Sequence, residues 1–123
     1  MPPDALAAEP DTCWIKVVGE DPAEVVRRYT GRCPIVHLKD FIMEGKPKNL
    51  YKLIGIESEA AGNGSGVFEF RPVGFGQQVW QPILAASVQA GAQWVVVEQD
   101  EHYGIPSIEN ARLSREYLKI LGW

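Results

Sequence analysis

Three side chains able to hold a cation or move a proton stand at turning points of this chain. They are Asp11 in Asp11-Thr12-Cys13-Trp14, His37 in Val36-His37-Leu38-Lys39-Asp40, and Glu98 in Val95-Val96-Val97-Glu98-Gln99-Asp100. His37 and Glu98 each close an apolar run. A carboxylate placed at the end of a buried strand is costly unless a cation, a basic side chain or solvent compensates it. A neutral imidazole together with carboxylate oxygens makes a mixed nitrogen and oxygen set that suits several divalent ions. Each residue also has a plain reading. His37 can be an edge histidine with a satisfied hydrogen bond, Glu98 a solvated carboxylate, and Asp11 a turn aspartate. Asp11 is the weakest by position, because Leu6-Ala7-Ala8-Glu9-Pro10 before it has poor strand character.

The elements that must position these groups follow from local signals. Cys13 to Val18 is mostly apolar and is expected to be a strand, with Gly19 ending it. Asp21-Pro22 is a helix start, with Asp as N-cap and Pro at the first helical position, so a short helix is expected over residues 22–30. Pro34 to Leu38 reads as a parallel strand covered on both faces, with Ile35 and His37 on one face and Val36 and Leu38 on the other. Residues 41–78 read as a long connection. It contains a turn at Lys46-Pro47-Lys48-Asn49, a flexible tip from Ala61 to Gly66, and a hairpin pairing Leu53-Ile54-Gly55-Ile56 with Val67-Phe68-Glu69-Phe70.

A helix is expected from Gln81 to Ala90, and a β-branched strand from Ala92 to Glu98. Ser107 is expected to cap a last helix that buries Ile108, Ala111, Tyr117, Leu118 and Leu121. The alternation implies parallel strands with right-handed crossovers, about three βα units in all. Val96 and Glu98 share a face by alternation. If Ile35 and His37 share it too, imidazole and carboxylate converge.

The 123 residues are expected to form one domain, residues 1–123. A formal charge of −4 argues against a nucleic-acid partner, whose binding surfaces are usually basic. No apolar run approaches a membrane span, and the opening Met1-Pro2-Pro3-Asp4 lacks the basic and apolar parts of a signal peptide. Cys13 and Cys33 are read as free thiols, and the protein as cytoplasmic.

Asp11-Thr12-Cys13-Trp14, Gly31-Arg32-Cys33-Pro34-Ile35-Val36-His37-Leu38-Lys39-Asp40 and Trp94-Val95-Val96-Val97-Glu98-Gln99-Asp100 together resemble three regions of a known family. These are the sixth, seventh and eighth strand regions of the sugar phosphate isomerase/epimerase family, the xylose isomerase-like or AP endonuclease family 2 TIM barrels. Gly74-Phe75-Gly76 before Trp80 is similar to that family's connection from strand seven to helix seven.

The resemblance implies one divalent ion (Mn, Mg, Co or Zn) held by a Glu, Asp, His, Glu set. Asp11, His37 and Glu98 match the last three ligands, and the first glutamate is expected upstream of Met1. The implied chemistry is proton transfer beside a metal-polarised carbonyl of a sugar or cyclitol, with Glu98 as the one member of the acid/base pair present. Endonuclease IV-type relatives have a His where Trp14 stands here and an Asp-x-His pair after strand seven. Neither feature occurs in this chain, so a mononuclear sugar or cyclitol enzyme is expected rather than a nuclease.

Three further residues are candidates for substrate contact. Trp14, with Phe75, can wall a sugar ring or sit in the core. Lys39 can face the site or pair with Asp40. Arg71 can bind a substrate oxygen or phosphate, or stay in solvent.

The fold class expected is α/β, a partial (β/α) TIM barrel, because a full barrel needs about 250 residues and eight strands. The chain is expected to be the C-terminal portion of such a barrel and to be incomplete as an isolated enzyme, with copies associating to complete the sheet. The alternative is a non-catalytic barrel fragment or interaction module without turnover.

Overall fold

A computed structural model gives the fold of residues 4–45 and 65–123. Among these residues the elements are α1 (Thr12–Val17), α2 (Pro22–Arg28), β1 (Ile35–Leu38), β2 (Asp40–Glu44), β3 (Val67–Arg71), α3 (Trp80–Ala90), β4 (Trp94–Val97) and α4 (Ser107–Ile120). The class is mixed α/β. β1 and β4 pair in parallel, with His37 opposite Val96 and Leu38 opposite Val97. This arrangement is consistent with part of a βα barrel.

On its other edge β1 carries one further parallel bridge, Asp11 to His37, and the His37 N–H donates to the Pro10 carbonyl oxygen at 2.9 Å. The segment before Asp11 therefore lies beside β1, but as a single bridge rather than a strand. Two βα units are complete, and the first of the expected three is reduced to this bridge.

Two layers hold the parallel pair. Val36 and Leu38 of β1 are fully buried against Val26 of α2, Trp80, Ile83 and Leu84 of α3, and Leu118 of α4. Fully burying side chains of this size is worth about 1.5–3 kcal/mol each. The opposite face of β1, with Ile35 and His37, is only half buried. A second, aromatic cluster forms around Cys13, Phe41 and Phe70, with Trp14 and Phe68 packed on it.

Several expectations are corrected here. Cys13 to Val18 is not a strand: the stretch folds as α1, because Asp11 Oδ1 accepts from the Cys13 N–H (2.9 Å) and the Trp14 N–H (3.2 Å) and so caps a helix. Residues 41–78 are not one long connection. Asp40–Glu44 is a strand that pairs antiparallel with Val67–Arg71, so the hairpin partner of Val67–Phe70 is β2. Leu53 to Ile56, the turn at residues 46–49 and most of the glycine-rich tip lie outside the described residues.

Ser107 is the first residue of α4 and makes no capping bond. Ile108 (80% exposed) and Ala111 face outward, while Tyr117, Leu118 and Leu121 pack on the core as expected, joined on that side by the buried Asn110 and Ser114. Ser114 Oγ accepts from the Val73 N–H at 2.9 Å and donates to the Asn110 carbonyl at 3.0 Å, which makes a polar seam against the loop after β3. The strand within residues 34–38 is not fully covered on both faces, for Ile35 and His37 are only half buried. The helix at 22–30 forms as α2, with Asp21 Oδ1 accepting from the Glu24 N–H at 2.9 Å. No helix among the described residues is long and apolar enough to cross a membrane.

Candidate functional site

The parallel register of β1 and β4 decides where the acidic and imidazole groups meet. His37 lies opposite Val96, and Glu98 follows two positions later on the same face, with its N–H reaching the Leu38 carbonyl at 3.2 Å. His37 Nδ1 then lies 3.0 Å from Glu98 Oε2. On its other edge the imidazole meets Glu9, with Nε2 2.6 Å from Oε1. The bridge from Asp11 to β1 brings in the third residue. One potential ligand atom from each of Asp11, His37 and Glu98 falls within 4.8 Å of the others.

Lys39 completes the cluster. By strand alternation it shares a face with His37, while Leu38 and Asp40 face the opposite way. Its Nζ lies 3.0 Å from Glu98 Oε2, 3.2 Å from Asp11 Oδ2 and 3.2 Å from Asp100 Oδ2, and its side chain is 4% exposed. It therefore pairs with three carboxylates and not with Asp40, which was the alternative read from the sequence. The ammonium also lies over the rings of Phe70 (5.5 Å) and Trp14 (5.7 Å), favourable cation–π positions.

Burial pulls the Lys39 pKa down. The hydrogen bond to Glu98 and the charges of Asp11 and Asp100 outweigh that, and the group is pushed up to about 12. Burial raises Glu98, but Lys39 and His37 beside it hold the carboxyl below the ordinary range. Burial, reinforced by Asp11, pushes the Cys13 thiol far up, so it is not a nucleophile. Both cysteines are buried and free.

Asp40 does different work, and its signal in the sequence was faint. It is fully buried and collects donors from its neighbour on β2, the loop after β3 and the start of α3: the N–H groups of Gly74 (2.9 Å) and Gly76 (3.1 Å) and the Trp80 indole (3.0 Å) reach Oδ2, while those of Phe41 (2.9 Å) and Gln78 (3.2 Å) reach Oδ1. Gly74-Phe75-Gly76 is thus the loop wrapped around this carboxylate. Gln78, so placed, donates from Nε2 to the Thr12 carbonyl at 2.7 Å. Thr12 Oγ1 in turn donates to the His37 carbonyl at 3.0 Å and accepts from the Lys39 N–H at 3.1 Å. Asp40 braces the strand end that presents His37 and Lys39.

Of the substrate-contact candidates, Trp14 lies at the site. It stacks on Phe68 with centroids 5.8 Å apart and meets Phe70 edge-on. Phe75 is 53% exposed and takes no part in that ring cluster, so the Trp14–Phe75 wall does not form. Arg71 is half buried: it pairs with Glu69 and lies over the Tyr103 ring at 5.8 Å. It lines a cleft of about 370 Å³ with Phe70, Gln99 and Tyr103, and none of its ion pairs is to Asp11, His37 or Glu98. Gln99 Oε1, also on that cleft, is buried with no hydrogen-bond partner among the described residues. Glu9 had no signal in the sequence that marked it.

Asp11, His37 and Glu98 fit a divalent ion. They offer two carboxylates and an imidazole that converge at the C-terminal ends of parallel strands, the rim where βα barrels build their sites. That fold and cluster define a class of βα proteins with an acidic and imidazole site at the strand ends. No protein-family profile matches the chain, and no solved structure matches it significantly.

Among curated proteins it is similar to the inosose dehydratases of Clostridium botulinum strains Eklund 17B (Type B) and Alaska E43 (Type E3). It is 33% identical to each over 115 residues, covering 89% of this chain and 36% of theirs. The chain therefore spans about a third of the length of these relatives.

Proposed function

We propose that residues 1–123 are the C-terminal portion of a xylose isomerase-like barrel that acts on a sugar or cyclitol by proton transfer next to a carbonyl. The single observation that carries this reading is the convergence of Asp11, His37 and Glu98 in a chain similar to inosose dehydratases. In this reading Asp11, His37 and Glu98 hold a divalent ion: Mn, Mg, Co or Zn. Such an ion, when bound, supplies Lewis-acid polarisation of a carbonyl oxygen.

The chain's own residues account for the rest. Glu98 takes or returns the proton at the carbon beside the carbonyl, and Lys39 and His37 beside it keep the carboxyl ionised near neutral pH. Trp14 offers an apolar platform for a sugar ring. Lys39 faces a substrate oxygen. Arg71, with Tyr103, meets hydroxyl groups in the adjoining cleft. The two buried free thiols support a cytoplasmic setting. β4 is an edge of the parallel pair among the described residues, where a further strand, such as one from a second copy, would extend the sheet.

A second reading, a non-catalytic barrel portion, is favoured by Lys39, whose ammonium already neutralises Asp11 and Glu98. One experiment separates them. The Mg-loaded chain is incubated with inosose in D2O, and loss of the proton signal beside the carbonyl is followed by NMR. Exchange that disappears in Glu98→Gln supports catalysis. Ion binding with no exchange supports the second reading.

A further inference from the structure

The ammonium of Lys39 touches two of the three proposed ion ligands, Asp11 at 3.2 Å and Glu98 at 3.0 Å. A divalent ion held by those same carboxylates would stand beside this ammonium. At such range, in a buried setting, two positive charges repel strongly even at an effective dielectric near 20. Lys39 cannot escape by extending into solvent, since its side chain is 4% exposed and its charge lies over the faces of Trp14 and Phe70. Ion binding therefore requires the ammonium to release Asp11 and Glu98 and keep a counter-charge elsewhere.

The structure holds such a counter-charge. Lys39 Nζ already donates to both oxygens of Asp100, at 3.3 Å to Oδ1 and 3.2 Å to Oδ2. Asp100 is not one of the converging ligand set. It sits just past Glu98 in the loop after β4, with a side chain 37% exposed and free of any other ion pair among the described residues.

We infer that Lys39 is an internal cation that competes with the divalent ion for Asp11 and Glu98, and that Asp100 is the dock that keeps Lys39 beside the site once the ion binds. The inference rests on the reading of Asp11, His37 and Glu98 as ion ligands. Two consequences follow from the geometry. Without an ion, Lys39 compensates the paired carboxylates and keeps the strand ends together. With an ion, the displaced ammonium stays next to it and faces any oxygen that approaches the ion.

The test is a calorimetric titration of the chain with MnCl2 in four variants: wild type, Lys39→Met, Asp100→Asn and the double variant. Methionine preserves packing against Trp14 and Phe70 and removes the charge. Lys39→Met is expected to bind Mn²⁺ about tenfold or more tighter than wild type. Asp100→Asn is expected to bind severalfold weaker. In the Lys39→Met background, Asp100→Asn is expected to change affinity by less than about twofold, because Asp100 acts through Lys39.

Should Lys39→Met be unfolded without ion, the Mn²⁺ midpoint for recovery of its far-ultraviolet circular dichroism reads the same affinity. Unchanged or weaker binding in Lys39→Met, beside wild-type binding that His37→Ala removes, overturns the competition alone. An equal effect of Asp100→Asn in both backgrounds overturns the dock. Absence of binding in wild type and Lys39→Met alike overturns the ion-site reading and this inference with it.

Discussion

His37 Nδ1 and Glu98 Oε2 lie 3.0 Å apart across two parallel strands, although the residues are far from each other along the chain. The relationship is set by register. His37 pairs with Val96, so the next residue on that face, just past the end of β4, is Glu98. A one-residue slip would send the carboxylate to the other side of the sheet. The hydrophobic face of β1, Val36 and Leu38 against α3, fixes that register from below.

The acidic cluster predicts how stability varies with pH. The folded pKa of Lys39, about 12, lies above its ordinary 10.5, so its contribution is complete below about pH 10.5 and is lost as pH rises through 12. The difference corresponds to about 2 kcal/mol. Glu98 is shifted the other way. Its contribution is present above the ordinary carboxylate pKa of 4.5 and is lost as pH falls through the lower folded value. Urea unfolding across the pH range is expected to give a plateau near neutrality with losses at both ends. In Lys39→Met the alkaline loss is expected to shrink by about 2 kcal/mol.

Asp40 accepts five hydrogen bonds among the described residues, and its role is mechanical. Asp40→Asn turns an amide NH2 toward a nest of N–H donors and is expected to cost about 2–4 kcal/mol in urea unfolding. Gly76→Ala acts on the same contact. A Cβ there would fall on Asp40 Oδ1 and the Phe41 carbonyl, well inside van der Waals distance; the latter is backbone, and the former is pinned by the carboxylate's five hydrogen bonds. A loss of similar size is expected. A cost under about 0.5 kcal/mol for both would show that the loop does not depend on this carboxylate.

Glu9 holds the far edge of the His37 ring and is the outer carboxylate of the proposed ion site. Such partners fix the tautomer and orientation of a ligand imidazole and are typically worth about 10–100-fold in ion affinity. Glu9 is half exposed, so the lower end applies. Glu9→Gln is expected to weaken Mn²⁺ binding about tenfold while leaving the melting temperature of the ion-free chain within about one degree. Unaltered affinity would remove Glu9 from the site.

What was legible in the sequence was local. Asp21-Pro22 carries its own cap and its own φ constraint, so α2 needed no tertiary information. The apolar runs of β1 and β4 marked strands, and their alternation placed His37 and Glu98 on faces that the structure brings together. What was not legible depended on partners far along the chain. The apolar run after Asp11 is six residues of helix, too short for periodicity to show, and only the cap bonds from Asp11 identify it. β2 and β3 are short and find each other across residues 45–66, so no local pattern gives their pairing.

Asp40 showed only as one half of a Lys-Asp pair. Its donors come from residues 41 and 74–80, and the nearest hint was the close spacing of Gly74 and Gly76. Lys39 was legible as a residue at the site. Its three carboxylate partners were not, since two of them lie beyond β4 and one lies before α1.

The central claim is that Asp11, His37 and Glu98 share one divalent ion. Its most direct measurement is a calorimetric titration of MnCl2 into wild type and into His37→Ala, with circular dichroism confirming that both are folded. The account predicts saturable binding of one ion per chain in wild type and none in His37→Ala. Equal binding by the two would contradict it.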